Sequence, residues 1–159
     1  MSDIQASDLY HTGIIVEDLE ASMSELTELM GYRWLSPVEY PVPVWSAEDG
    51  EAIVTLKMVY SIDEPRLELI REVPGTIWTA KAGNPIHHIG YFVDDFDAAS
   101  RSLTNHGCPL EISGSSSGVH PSGFAYHTCL DGLRVEVVPR GVIEAMEAMS
   151  AGLDVPQSL

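Results

Sequence analysis

Cysteine is scarce in this chain, with two residues in 159, Cys108 and Cys129, and they do not form a Cys-x-x-Cys spacing. So few thiols exclude a disulfide framework and give no zinc-ribbon pattern, which leaves both cysteines as buried thiols without a role. Basic residues are also few, 8 against 24 acidic ones, and the formal net charge is −16. Such a charge repels phosphate backbones and anionic bilayers, so neither nucleic acid nor a membrane surface is an expected partner. No apolar run reaches the roughly 18 residues that a membrane helix needs. The opening "MSDIQASD" lacks the basic and apolar regions of a signal peptide, and the expected location is the cytoplasm. A chain of this length can bury a core without metal or disulfide staples.

What the chain does have is a repeat. "YHTGIIVEDLEAS" returns as "HHIGYFVDDFDAAS", matching His11 with His88, Gly13 with Gly90, Val16 with Val93, Asp18 with Asp95 and Ala21 with Ala98 at a constant offset of 77. Each copy opens on a β-rich run whose alternation puts His11, Gly13 and Ile15, or His88, Gly90 and Phe92, on one face. An aspartate suited to cap a helix follows, Asp18 or Asp95, then apolar residues at helical spacing that end near Gly31 or Gly107. Strands return after each helix. They are read at "YRWLSPVEY", broken by Pro37, "EAIVTLKMVY" and "RLELIREV" in the first copy, and at "CPLEISG", "GFAYHTCL" and "LRVEVVPR" in the second. The fold class is therefore α+β, two tandem βαβββ modules with mostly antiparallel pairing. Their expected boundaries are 1–75 and 86–140, with a Gly/Pro-punctuated linker at 76–85 and a C-terminal helix and tail at 141–159. Val142, Met146, Met149 and Leu153 form an apolar stripe on that helix, which together with open sheet edges raises the expectation of a homodimer.

Each module also closes alike, in "RLELI" and "RVEVV", where Glu68 and Glu136 stand between apolar neighbours. A buried charged carboxylate costs several kcal/mol unless it is paired or binds a cation, and here it occurs twice at equivalent places. Pseudo-twofold packing of the modules would bring His11, Glu68, His88 and Glu136 to one centre. Such a His2Glu2 set suits one first-row divalent ion, Zn, Ni, Co, Mn or Fe, with coordination positions left for water or substrate. His87 points to the opposite strand face and is not counted as a ligand. A two-residue turn at Asp131 and Gly132 would pair His127 with Glu136, so that His127 looks into the same cup to orient the carboxylate or relay protons. A hydrogen-bonded sheet histidine is the open alternative. Glu136, displaced from the ion by substrate, is then the expected base in preference to Glu68, which has no histidine opposite it.

The doubled "H-x-G-x-x-V-[ED]-D" with "[LV]-E-[LV]" resembles the vicinal oxygen chelate superfamily, which includes glyoxalase I and methylmalonyl-CoA epimerase, over about residues 9–140. The resemblance implies a curved sheet around a divalent metal held by His11, Glu68, His88 and Glu136. It also implies chemistry through a metal-stabilised enolate or enediolate, and a further base in "AEDGEAIV", Glu48 or Glu51. The function expected is that of a metal-dependent lyase or isomerase/epimerase acting on a small carbonyl compound. Ring-cleaving dioxygenases of the superfamily use two histidines and one glutamate, so Glu68 departs from their pattern. Binding proteins of the drug-resistance type, the other alternative, usually need no metal. Coenzyme A would demand a basic cluster that the sequence lacks, and Trp34, Trp45, Trp78, Phe124 and Tyr126 could line an apolar cup instead.

Overall fold

The computed structural model describes residues 3–153. Its elements follow the order β1 (Leu9–Val16), α1 (Leu19–Met30), β2 (Val38–Ser46), β3 (Gly50–Tyr60), β4 (Leu67–Arg71), β5 (Ile86–Val93), α2 (Phe96–Asn105), β6 (Leu110–Gly114), β7 (Ala125–Thr128), β8 (Arg134–Pro139) and α3 (Arg140–Leu153). The βαβββ order thus occurs twice, in an α+β fold with eight strands among the described residues. The chain divides into two compact units that interleave in sequence. One contains His11–Tyr40 and Thr55–His87; the other contains Pro41–Val54 and His88–Ile143 together with the residues up to Tyr10.

In the unit built on β1, that strand runs parallel to β4, with Gly13 beside Glu68, and β4 pairs antiparallel with β3, with Tyr60 beside Glu68. The Asp18 side chain accepts the Ala21 N–H at 2.9 Å to start α1. Gly31 ends the helix at φ 76°, a left-handed conformation that costs glycine little. Leu19, Val59 and Leu69 are buried between helix and sheet, with Ile14, Val16, Met23, Leu26 and Trp34 packed around them. Alternation along β4 therefore turns Leu69 towards α1 and Glu68 to the opposite face.

The unit built on β5 repeats this plan. There β5 runs parallel to β8, with Gly90 beside Glu136; β8 pairs with β7, β7 with β6, and β6 with the end of β2, all antiparallel. Asp95 caps α2 through the Ala98 N–H at 2.9 Å. Val93, Ala99, Ala125 and Val137 form the core beneath that helix. The strand expected at "YRWLSPVEY" is displaced: Trp34 makes only an isolated bridge to Ser61, and the continuous strand starts at Val38 and runs through Pro41 and Pro43. Those prolines are tolerated because the β2–β6 ladder begins after them, at Val44, and Pro43 contributes only its carbonyl, to Ser115 N–H.

Of the C-terminal stripe, Val142 is exposed while its neighbour Ile143 is buried; the side chains of Met146, Met149 and Leu153 lie outside the described residues. Among the described residues no helix is long and apolar enough to cross a membrane.

Candidate metal centre

The duplicated strand faces deliver the same side chains twice. On β1 the buried positions are His11, Gly13 and Ile15, as period-2 alternation requires. His11 Nε2 lies 3.0 Å from Glu68 Oε2, and both side chains are almost fully shielded from solvent. Gly13 stands beside Glu68 in the parallel ladder and adds no side chain, so His11, two residues earlier on the same face, reaches the carboxylate. Tyr60, opposite Glu68 on β3, places its ring edge-on to His11 with centroids 5.2 Å apart and planes at 77°.

The second unit has the same arrangement. His88 Nε2 lies 3.1 Å from Glu136 Oε2, again with both side chains buried. Gly90 is the parallel neighbour of Glu136, and Tyr126 is its antiparallel one. The Tyr126 ring packs on His88 at 4.8 Å and 43°, backed by Phe124 at 5.4 Å. His87 faces the other way, as expected, with its Nε2 2.9 Å from the Ile77 carbonyl.

His127 does not stand where the two-residue turn would put it. Leu130–Gly132 forms a three-residue loop with Asp131 at φ 48°, closed by Cys129 N–H to the Leu133 carbonyl at 2.7 Å. The extra loop residue shifts the register by one, so His127 pairs with Val135 and Tyr126 with Glu136. Because strand side chains alternate, that single step moves His127 to the opposite face. There it is fully buried, with Nε2 2.9 Å from Ser100 Oγ on α2 and Nδ1 2.9 Å from the Cys108 carbonyl. Burial pushes its proton affinity below that of an ordinary histidine, and the Cys108 carbonyl opposes this in part. His127 is thus a strut between β7 and α2, not a partner of Glu136.

Glu48 is exposed in the turn between β2 and β3. Glu51 is also exposed, and it lines a cleft of about 440 Å³ with Pro43, Val44 and the serine loop at Ser115–Ser117. Among the aromatic residues expected in a cup, Trp78 is fully buried and Trp34 bonds to the Met23 carbonyl and Thr27 beside α1. Trp45 stacks on His120 at 4.3 Å. Burial and a hydrogen bond with Cys108 push the Cys129 thiol up to about 12, so it remains protonated and inert at neutral pH. Tyr60 and Tyr126 are the neighbours that the sequence did not reveal as a pair. They stand 66 positions apart whereas the glutamates stand 68 apart, and only the observed ladders show that the tyrosines are equivalent.

A family model described as the Glyoxalase/Bleomycin resistance protein/Dioxygenase superfamily matches residues 10–126. No curated protein matches the chain. Among solved structures, methylmalonyl-CoA epimerase from Mycobacterium tuberculosis is similar with TM-score 0.61 and 20% identity over 91% of this chain and 95% of that one. A variant of the Streptomyces coelicolor methylmalonyl-CoA epimerase in complex with 2-nitronate-propionyl-CoA gives TM-score 0.58 and 22% identity over 83% and 96%. A hypothetical protein from Bacillus halodurans gives 0.56 and 16% over 82% and 92%. At these identities the likeness is one of fold.

Proposed function

The chain belongs to the glyoxalase/bleomycin resistance protein/dioxygenase superfamily, and on that premise we propose that it is a divalent-metal-dependent lyase or isomerase/epimerase acting on a small carbonyl substrate. The observation that carries this reading is the duplicated, buried His–Glu pair at identical ladder positions. The two separations, 3.0 and 3.1 Å, put each imidazole nitrogen in polar contact with a buried carboxylate oxygen. They also match the spacing of adjacent donors around one ion bonded at about 2.1 Å. His11, Glu68, His88 and Glu136 would hold Zn, Ni, Co, Mn or Fe, all compatible with imidazole and carboxylate donors. When bound, such an ion supplies a Lewis acid that polarises a substrate carbonyl and acidifies the adjacent C–H.

The protein's part is then to hold the substrate and to move a proton. With a tyrosine opposite each carboxylate, the ground for preferring Glu136 over Glu68 falls away: both are buried, both contact a histidine, and both stand beside a glycine. Two equivalent carboxylates suit a reaction in which one group removes a proton and another returns one. Glu51 beside the serine loop is the third candidate base, and Glu48, exposed in its turn, is the fourth.

Methylmalonyl-CoA epimerases act on CoA esters, but the charge pattern here favours a less anionic substrate. Six of the eight cations already face a carboxylate: Arg33 with Asp63, Lys57 with Glu20, Arg66 with Glu64, Arg71 with Glu39, Arg134 with Glu111, and Arg140 with Asp8 and Asp94. A homodimer, from the apolar stripe of the C-terminal helix, is part of the same proposal, and sedimentation at micromolar concentration tests it.

The deciding experiment is elemental analysis of protein purified without tag or chelator, then reconstitution with Zn, Ni, Co and Mn. One ion per chain is expected, lost in His11→Ala and in His88→Ala while the circular dichroism of the fold persists. A wild type that takes up none of the four metals would reject the reading. Exchange of a substrate C–H for deuterium, followed by NMR in Glu68→Gln, Glu136→Gln, Glu51→Gln and Glu48→Gln, identifies the base. Oxygen consumption with a catechol would move the assignment to the dioxygenases.

A further inference from the structure

The internal repeat extends beyond the four candidate ligands. We propose that Tyr60 and Tyr126 are positioning residues of the metal centre, each setting the ring plane of one histidine, an inference that rests on the metal reading above. The two tyrosines occupy equivalent places: each is the antiparallel partner of the glutamate, each is buried, and each lays its ring against the histidine of its own unit.

The physical need for such a wall comes from imidazole chemistry. The Nε2 lone pair lies in the ring plane, so the plane must aim at the ion, and the second side-chain torsion of histidine is broad. Nε2 of each ring lies 3.0 or 3.1 Å from a carboxylate oxygen. Such a contact cannot hold the ring once Nε2 binds an ion, because coordination takes the same position on the nitrogen. A contact with the ring survives the exchange. Tyr60 meets His11 edge-on at 77°, and Tyr126 meets His88 at 43° and itself contacts the Phe124 ring. The orientation of both imidazoles is therefore set by groups that take no part in coordination. Outer-shell groups that hydrogen-bond a liganding histidine typically change metal affinity 10- to 100-fold when removed, and a ring that fixes the imidazole plane would act on the same orientation.

Tyr60→Leu and Tyr126→Leu remove the ring, while Tyr60→Phe and Tyr126→Phe keep it. Cobalt(II) affinity, measured by competition with a chelator, and the cobalt(II) absorption spectrum are read for each variant after circular dichroism has shown it folded. The leucine variants are expected to bind cobalt(II) about 10- to 100-fold more weakly with shifted bands, and the phenylalanine variants to recover to within about threefold of wild type. Leucine variants with lower melting temperature but wild-type affinity and spectrum would overturn the proposal by making the rings ordinary core. Phenylalanine variants as weak as leucine would overturn it by assigning the effect to the hydroxyl. Wild type that binds no cobalt(II), zinc, nickel or manganese overturns the metal reading and this inference together, whereas binding that ignores the leucine substitutions overturns this one alone. Should one leucine variant not fold, the other position carries the test. Phe124→Leu offers a milder version, expected to shift the cobalt(II) spectrum by loosening Tyr126, and an unchanged spectrum there counts against the proposal.

Discussion

Burying an imidazole under a helix ties stability to pH, and His127 shows the sign. Its folded proton affinity is depressed, chiefly by desolvation. Above its unfolded pKa of roughly 6.5 the ring is neutral in both states and costs nothing. As pH falls below that value the unfolded chain takes up the proton and the folded one resists, so stability is lost, by at most about 1.4 kcal/mol per pH unit for one group. The melting temperature should therefore fall more steeply between pH 7 and pH 5 in wild type than in His127→Gln, as calorimetry across that range would show; parallel slopes would remove His127 as the cause. At this scale the pairings of His11 with Glu68 and of His88 with Glu136 were legible in the sequence, because a repeat lends each residue the support of its counterpart. His127 has no counterpart in the first module, and its placement hung on the count of residues in one turn. Asp131 adopts a left-handed conformation inside that loop, which the Asp-Gly pair permits but does not require.

The elements themselves were largely legible. Both helices begin at the expected aspartates, Asp18 and Asp95, since an N-terminal cap followed by apolar helical spacing is a strong local signal. Each cap satisfies an otherwise unpaired N–H, so Asp18→Ala and Asp95→Ala should each cost about 1 kcal/mol in urea unfolding. The two losses should add in the double variant, since the caps share no partner. The end of β2 was misread, at Tyr40 instead of Ser46, because proline is a breaker only where the ladder needs its N–H. That need depends on β6, a strand some 70 positions later in the chain, and local reading cannot see it.

For the whole molecule, a net charge of −16 sets the response to salt. Exposed ion pairs such as Arg33–Asp63 and Arg71–Glu39 contribute little, and screening costs little by weakening them. Like-charge repulsion among the remaining carboxylates is what salt relieves. The melting temperature should rise by a few degrees between about 0.02 and 0.3 M NaCl, and a fall in thermal melts would mean that the ion pairs outweigh the repulsion. The placing of Pro41–Val54 in the same unit as His88–Ile143 bears on how such a chain can be divided. A gene split between the two repeats would leave the second fragment without the strand that β6 pairs with, and the first fragment with a hairpin tip deprived of its partner. Neither repeat can then be an autonomous ancestor in its present form. Fragments cut near Gly83 should each stay unfolded alone and regain native circular dichroism on mixing, an exchange of strands that ties the two copies into one heritable unit.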